Sequence, residues 1–296
     1  MSNKHWLNKD GLTEDEFLKN YKPGDYERPS VTVDMLIFTT VDKVSDNIKK
    51  LNEKELKILL IKRKDHPYIG KWALPGGFVD MHESLDEAAY RELKEETNIE
   101  NVYMEQLATF GTPKRDPRMR VISTAYMALV PSNNLNPIAG DDADDVAWFT
   151  VSKTNIGENK SILRLENEEK NAVIEYEIIE KHCKKGFSTV STSEYRLLES
   201  SPDAIAFDHY EEIDMALERL KNKIEYTSIA FNLVREYFTI AEIQTVYETI
   251  LGRKLHRMDF MRKMKNKIEQ TDLLCYEKAH RPAKYYKLKD DWASVF

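Results

Sequence analysis

The chain has 296 residues, 41% of them hydrophobic and 32% charged, which indicates a folded globular protein with enough apolar material for two domains. The amino terminus lacks the apolar run of a signal peptide, and no stretch reaches membrane-spanning length, so we expect a cytoplasmic protein without membrane contact. Two cysteines, Cys183 and Cys275, fit a reducing compartment, and no spacing of Cys and His indicates a zinc site.

The net charge of −7 is unevenly distributed along the chain. Residues 221–289 contain 15 Lys and Arg against 8 Asp and Glu, so this segment carries +7 and the remainder carries −14. A basic carboxyl-terminal segment on an acidic body predicts that the segment meets an anion larger than a metabolite.

The first half of the chain alternates between predicted strands and helices. Thr13 and Glu16 have the spacing of a capping box, which predicts a short helix over 14–20. Residues 31–40 and 56–62 are rich in β-branched and apolar residues and predict the two strands of a hairpin. Further strands are predicted over 102–110, 121–130 and 146–149. Strands that bracket a helix predict an α/β/α sandwich around a mixed sheet.

A glycine loop followed by an acidic helix occupies residues 74–99, LPGGFVDMHESLDEAAYRELKEETNI. Gly76 and Gly77 lack side chains, which lets the backbone approach a ligand closely. Residues 84–97 have an apolar stripe at helical spacing and therefore predict a helix.

Three glutamates of this helix share one face, because Glu92, Glu95 and Glu96 stand at positions i, i+3 and i+4. Their oxygens suit Mg²⁺ or Mn²⁺, ions that bridge to substrate phosphates and lower the pKa of a bound water. We expect Arg91 to pair with a neighbouring carboxylate and hold the cluster in shape. The alternative is a solvated acidic helix face. It does not account for the combination of the two loop glycines with a further glutamate, Glu83, just before the helix.

The charged residues also have the spacing of a known motif. Counted from Gly77, five residues precede Glu83, seven more precede Arg91-Glu92-Leu93, and Glu95-Glu96 follow after one further residue. The segment resembles the Nudix box, G-x5-E-x7-R-E-U-x-E-E-x-G-U, where U is aliphatic. Asn98 replaces the last glycine of the motif, and Asn also tolerates a left-handed helix end.

The resemblance implies the Nudix fold, hydrolysis of a nucleoside diphosphate derivative and a Mg²⁺ or Mn²⁺ cofactor. It implies that Gly77 contacts the substrate. It also implies that the metal ligands and catalytic groups come from the box: Gly76, Glu83, Arg91, Glu92, Glu95 and Glu96.

Residues 111–120, GTPKRDPRMR, lie between two predicted strands. Four of the seven residues from 114 to 120 are basic. They predict either a phosphate clamp or an exposed basic turn. The segment is similar to the RDPRxR stretch that follows the box in Nudix proteins recognising ADP-ribose. This similarity implies that an ADP-ribose-like nucleotide contacts Arg115, Asp116, Arg118 and Arg120.

Residues 151–202 predict two or three additional strands, since Ile174, Tyr176 and Ile178 alternate with glutamates. This β insertion has two open interpretations, a dimer interface or a cover for the pocket. Residues 204–227 predict a helix that connects two domains. We expect its His209 to be a capping or structural residue rather than a catalytic one.

The basic segment has the pattern of a helix-turn-helix. Thr239 and Glu242 form a second capping box, and Gly252 marks the end of that helix. A second helix is predicted over 258–268, and its apolar side holds Phe260, Met264 and Ile268. The basic residues that occupy its other sides are Arg257, Arg262, Lys263, Lys265 and Lys267. Two short strands, LLCYEK and KYYKLK, follow and predict a winged helix that binds DNA, with a basic dimerisation domain as the alternative.

The stretches AFDH…ALERLKNKIEYT, FTIAEIQTVYETILGRKL…DFMRKM and RPAKYYKL resemble the Nudix-related transcriptional regulators of NAD and pentose metabolism. In that family a Nudix domain senses ADP-ribose or a related nucleotide, and a winged helix binds double-stranded operator DNA as a homodimer. The resemblance implies DNA contacts from Arg281 and Lys284 in addition to the second helix. His280 stands where the family has Gly, and the box is intact here although many members have lost theirs.

We therefore expect an α+β protein with three parts. A Nudix domain with an N-terminal extension and the β insertion covers 1–202, a connector helix covers 203–227, and a winged helix covers 228–296. Two functions are compatible with this organisation, a Mg²⁺-dependent hydrolase that converts ADP-ribose to AMP and ribose 5-phosphate, and a nucleotide-controlled repressor. The alternatives are a non-catalytic ADP-ribose sensor and a pyrophosphatase whose tail only dimerises. The catalytic base is either in the box or in the loops at 131–145, where the aspartates are Asp141, Asp142, Asp144 and Asp145.

Overall fold

The computed structural model describes residues 6–25, 27–43, 53–97, 102–131, 143–275 and 282–293. Its larger sheet contains β1 (Ser30–Asp42), β2 (Lys54–Arg63), β3 (Trp72–Ala73), β4 (Gly76–Phe78), β5 (Tyr103–Phe110), β6 (Val121–Leu129), β7 (Ala143–Gly157), β8 (Lys160–Asn167), β9 (Ala172–Lys185) and β10 (Ser188–Leu197). A smaller sheet contains β11 (Phe238–Thr239), β12 (Ile268–Cys275) and β13 (Ala283–Leu288). The helices are α1 (Glu14–Asn20), α2 (Leu85–Thr97), α3 (His209–Lys223), α4 (Ile240–Leu251), α5 (Arg257–Met264) and α6 (Asp290–Ala293), with 3-10 turns at Pro23–Asp25 and Ile229–Leu233.

Strand β1 lies near the middle of the larger sheet, whose order is β10-β9-β8-β7-β2-β1-β6-β5. It runs parallel to β6 and antiparallel to β2, and the short strand β4 also pairs with it. The sheet is therefore mixed, and the predicted hairpin of the first two strands is confirmed.

The two faces of the sheet are covered by different helices, and β1 contributes alternate residues to each face. Met35 and Ile37 belong to a buried cluster with Ala88, Ala89 and Leu93 of α2. Leu36 and Phe38 belong to the opposite cluster, which includes apolar residues of α3 and α4. Helices on both faces of a mixed sheet confirm the predicted α/β/α sandwich.

The β insertion extends this sheet instead of forming a separate body. Strand β7 is much longer than the predicted 146–149, because it continues past its pairing with β2 to pair with β8. Strands β8, β9 and β10 then follow as an antiparallel meander. Leu163, Ile174 and Ile178 are buried in the cluster that includes α3, whereas β10 is largely exposed at the sheet edge.

The connector helix is shorter than the predicted 204–227. Residue Ile205 forms a parallel bridge with Trp72 of β3, and Phe207 has a positive φ of 53°, so the chain here is extended and then kinked. A helix cannot begin until His209, where α3 starts.

The carboxyl-terminal part is a winged helix, as predicted. Thr239 caps α4 through a capping box with Glu242, and Gly252 ends that helix at a φ of 66°. Helix α5 ends at Met264, four residues before the predicted end, because Ile268 already pairs with Leu288 at the start of β12. Phe260 and Met264 are buried, as their spacing indicates.

Some predicted features lie outside the described residues, namely Asn98, the turn with His280 and Arg281, and the acidic positions Asp141 and Asp142. Within the described ranges, no helix is long and apolar enough to cross a membrane.

Candidate functional site

The glycine loop is held so tightly that neither glycine has room for a side chain. It connects β3 to β4, and β4 pairs with β1. A methyl group on Gly76 would lie 2.2 Å from the carbonyl oxygen of Val33, and the φ of Gly76, 152°, is one that other residues rarely adopt. A methyl group on Gly77 would lie 2.2 Å from Oε1 of Glu92. The loop therefore packs with its backbone directly against β1 on one side and a box glutamate on the other.

Arg91 gathers three glutamates of the box around one guanidinium. Its Nη2 donates to Oε1 of Glu83 at 2.8 Å, and its Nη1 donates to Oε1 of Glu92 at 2.7 Å and to Oε2 of Glu95 at 3.2 Å. A further N–H of Arg91 reaches the carbonyl oxygen of Phe78, next to the glycine loop, at 3.2 Å. Arg91 therefore has the orienting position that its place in the motif predicts.

The environments of the three carboxylates differ. Glu92 is buried, and this burial raises the pKa of its carboxyl group despite the hydrogen bond from Arg91. The hydrogen bond from Arg91 lowers the pKa of Glu83. The side chain of Glu95 is 58% exposed and lies at the open side of the cluster. The cluster around Arg91 therefore contains both a buried carboxylate, that of Glu92, and an exposed one, that of Glu95.

This donor set fits a hard divalent cation. The oxygens of Glu83, Glu92 and Glu95 stand beside a backbone segment without side chains, and Mg²⁺ and Mn²⁺ favour carboxylate and carbonyl oxygens. A cation would also compensate the buried charge of Glu92 more fully than the single guanidinium of Arg91 does. The side chain of Glu96, the fourth glutamate of the motif, lies outside the described part.

The loop at 111–120 is not simply an exposed basic turn. The side chain of Arg115 is only 5% exposed and points inward, where it donates to Asp208 and Glu212. Asp116 is buried and accepts from the backbone and the guanidinium of Arg118. The guanidinium of Arg118 lies over the ring of Phe78, with 5.6 Å between its Cζ and the ring centre. Asp116 and Arg118 therefore lie beside the glycine loop, whereas Arg115 is already occupied by carboxylates of the connector.

Arg120 lies at the far end of the same loop. It is exposed, and its Nη1 donates to the carbonyl oxygens of Thr112 and Val121, both at 3.3 Å. These bonds join the two ends of the loop.

A second buried polar cluster lies directly behind the loop. Ligand atoms of Asp34, His209 and Glu212 lie within 4.8 Å of one another, and Nη2 of Arg115 approaches Oδ2 of Asp34 at 3.4 Å. Sequence reasoning did not identify Asp34, Asp208 or Glu212 as functional residues. The available signal was a lone aspartate in the apolar strand VTVDMLIF, since a buried charge requires a partner.

The predicted DNA-contacting residues differ in exposure. Lys267 is buried, and its Nζ lies 4.1 Å from the ring centre of Trp292. The expectation that Lys267 is exposed to DNA is therefore wrong. Arg262 is bonded to Asp259 at 2.9 Å, and Lys263 lies 3.4 Å from Glu225. The predicted residues that are exposed are Arg257, Arg262, Lys263, Lys265 and Lys284.

A cleft of about 750 Å³ lies elsewhere, between the two parts of the chain. It is lined by residues of β2, β7, α3 and α4, including Lys153, Glu218 and Glu248, and by none from the glycine loop or α2. The box carboxylates are therefore not part of this cleft.

Comparison with known proteins gives two family matches. Residues 44–169 match the NUDIX domain, and residues 230–288 match the NrtR DNA-binding winged helix domain. The two matches lie on either side of α3.

Individual relatives cover the same two parts. The chain is 30% identical to the ADPR responsive transcriptional repressor NtrR of Acinetobacter baylyi over 93% of this chain and 88% of that protein. It is 40% identical to an ADP-ribose pyrophosphatase of Methanocaldococcus jannaschii over 46% of this chain and 69% of that protein. The crystal structure of Shewanella oneidensis NrtR complexed with a 27mer DNA superposes with a TM-score of 0.60, at 29% identity, over 89% of this chain and 95% of the other.

The contact between Gly77 and Glu92 leads to a first prediction. We expect Gly77→Ala to lower the free energy of unfolding by about 1–3 kcal/mol, because the new methyl group must displace the buried carboxylate. Urea denaturation measures this difference. Gly111→Ala is the matched control, since a methyl group there lies no closer than 3.8 Å to its neighbours. Equal stability of the two variants would show that the loop is not packed against Glu92.

Proposed function

Because the chain belongs to the family of Nudix proteins that carry an NrtR-type winged helix, we propose that it hydrolyses the diphosphate of ADP-ribose or a similar nucleotide and also binds DNA in a nucleotide-dependent way. One observation supports catalysis above all. The box glutamates Glu83, Glu92 and Glu95 converge on Arg91 beside a loop without side chains.

In the hydrolysis, water attacks a phosphorus of the diphosphate and the P–O–P bridge breaks, which yields AMP and ribose 5-phosphate from ADP-ribose. Glu83, Glu92, Glu95 and Glu96, with the backbone of Gly76, would hold a Mg²⁺ or Mn²⁺ ion, which would supply charge stabilisation and a more acidic water. Arg91 keeps the carboxylates oriented. Gly77 lets substrate approach the backbone, and a box glutamate accepts the proton of the water.

The basic loop has a divided role in this proposal. Arg118 and Arg120 are exposed cations that a nucleotide phosphate can reach, and Asp116 holds Arg118 in place. Arg115 differs, because its guanidinium already bonds Asp208 and Glu212 in the interior. We therefore assign Arg115 a structural position behind the site.

The regulatory half of the proposal is supported by the winged helix and the charge distribution. Exposed Arg257, Arg262, Lys263 and Lys265 belong to or follow α5, and Lys284 lies on β13. Such side chains supply salt-dependent affinity for DNA phosphates, and only a few of them need to reach base edges. A homodimer is part of this proposal, because two-fold symmetric proteins bind symmetric operators.

A second candidate function is a sensor that binds the nucleotide without hydrolysing it. The observation that favours it is the relative of nearly the same length, which is a transcriptional repressor responsive to ADPR. A pyrophosphatase whose tail only dimerises is the third candidate. Turnover of ADP-ribose and affinity for duplex DNA together separate the three.

We expect Mg²⁺-dependent release of AMP from ADP-ribose by the wild type and a loss of at least about a hundredfold in kcat for Glu96→Gln, because the box loses a metal-binding carboxylate. Chromatography of the products measures both rates. Glu169→Gln is the control, since Glu169 is exposed on the turn between β8 and β9. Bound ADP-ribose without turnover in the wild type would make the protein a sensor.

We expect the double variant Arg262→Ala/Lys265→Ala to bind duplex DNA more weakly while it retains wild-type turnover. The slope of log affinity against log salt should become shallower by about 0.9 for each DNA phosphate that the variant no longer neutralises. Arg196→Ala, which removes an exposed arginine from β10, should change neither quantity. A wild type that binds no duplex at low salt would support the tail as a dimerisation domain.

A further inference from the structure

The segment that precedes α3 is joined to the strand that leads into the glycine loop. Ile205 bridges to Trp72 of β3, and the N–H of Ala206 donates to the carbonyl oxygen of Trp72 at 2.8 Å. Two residues after Trp72 the glycine loop begins, and three residues after Ala206 helix α3 begins. The loop and the first turn of α3 therefore have a common anchor.

His209, the first residue of α3, contacts the loop directly. Its Nδ1 accepts a hydrogen bond from the backbone N–H of Leu74 at 2.9 Å, over a separation of 135 residues. Because Nδ1 accepts this N–H, it carries no proton, and the ring proton is on Nε2. Burial also lowers the pKa of His209. Nε2 faces Oδ1 of Asp34 at 3.8 Å. The tautomer is thus set by a backbone donor on one side and a carboxylate on the other.

Arg115 fixes the same turn from the opposite side. It forms a two-pronged bond with Asp208, through Nε at 2.9 Å and Nη2 at 2.6 Å, and it donates to Glu212 at 2.8 Å. Asp34, its third partner, stands beside Gly76, where a methyl group would lie 3.2 Å from Oδ1. Burial, and then the charge of Asp34, raise the pKa of Glu212 well above its usual value.

We propose that the first turn of α3 supports the nucleotide site from behind, with His209 as a positioning residue that fixes the backbone of the loop from Leu74 to Gly77. Arg115 holds this turn in place through Asp208 and Glu212. The identity of the nucleotide rests on the function proposed above. Because α3 leads from this turn to the winged helix, an occupied loop and the orientation of α3 depend on each other.

Two simpler interpretations account for less of the geometry. A cation held by Asp34, His209 and Glu212 would have to displace the guanidinium of Arg115, which already neutralises this cluster. A histidine that only fills the core would not need its acceptor atom at a particular place. The two interpretations of His209 are therefore distinguished by whether the site needs an acceptor atom at the position of Nδ1, 2.9 Å from the nitrogen of Leu74.

The test compares His209→Asn with His209→Gln. Both amides are neutral and polar, but only the shorter one places its oxygen near the position of Nδ1, whereas the longer one places it near Nε2. We expect His209→Asn to retain kcat for ADP-ribose within about threefold of the wild type. His209→Gln should lose at least about tenfold in kcat with little change in KM.

Hydrogen exchange of the peptide that contains Leu74 provides a readout that needs no nucleotide. Exchange should be at least about tenfold faster in the Gln variant than in the Asn variant, since the N–H of Leu74 loses its acceptor. Unfolding curves of both variants establish that each is folded. Equal exchange and equal turnover for the two amides would overturn the proposal.

Failure of the proposed hydrolysis can be distinguished from failure of the proposed role of His209. A wild type that releases no AMP would contradict the proposed hydrolysis, and the ADP-ribose affinity measured by calorimetry then replaces kcat in the same comparison. Different affinities and exchange rates for the two amides would still support the positioning role. Identical values would reject it.

Discussion

The close approach of the loop from Leu74 to Gly77 to its two neighbours is the constraint on which the rest of the site depends. On one side Gly76 touches the backbone of β1, and on the other Gly77 touches the carboxylate of Glu92. A side chain at position 76 would collide with the backbone of β1, and one at position 77 would displace the carboxylate of Glu92. The absence of two Cβ atoms thus places hard oxygen ligands, a bare backbone and the core of the sheet within a few ångströms.

The charges around this loop are arranged in two layers. In front of it, Arg91 binds Glu83, Glu92 and Glu95, which leaves an excess of negative charge suited to a divalent cation. Behind it, Arg115 binds Asp34, Asp208 and Glu212. Burial of such groups is costly unless each has a partner, so both arginines are needed for the loop to remain in place. The rear layer is also where the connector enters, so it joins the glycine loop to the segment that leads into the winged helix.

The sequence predicted the front layer much better than the rear one. Spacing within one helix is enough to place Glu92 and Glu95 on a common face, because helical geometry is local. No local pattern could show that Arg115 would bond Asp208, which is 93 residues away. Its basic neighbours instead suggested a phosphate clamp or an exposed turn. The predicted boundaries of α3 and β7 were wrong for the same reason. Pairing of Ile205 with Trp72, and of β7 with β8, is decided by distant strands. Lys267 was expected on the surface, but the chain turns toward β12 and places it under Trp292.

We infer that nucleotide occupancy and DNA affinity are coupled through α3 in one polypeptide. This coupling is measured as the affinity of the full chain for duplex DNA, by fluorescence anisotropy with and without saturating ADP-ribose at one fixed salt concentration. If α3 carries the coupling, ADP-ribose should change the affinity for DNA by at least about fivefold. Saturating DNA should then change the affinity for ADP-ribose by the same factor. Equal DNA affinity in the presence and absence of bound ADP-ribose would show that the two sites are not coupled.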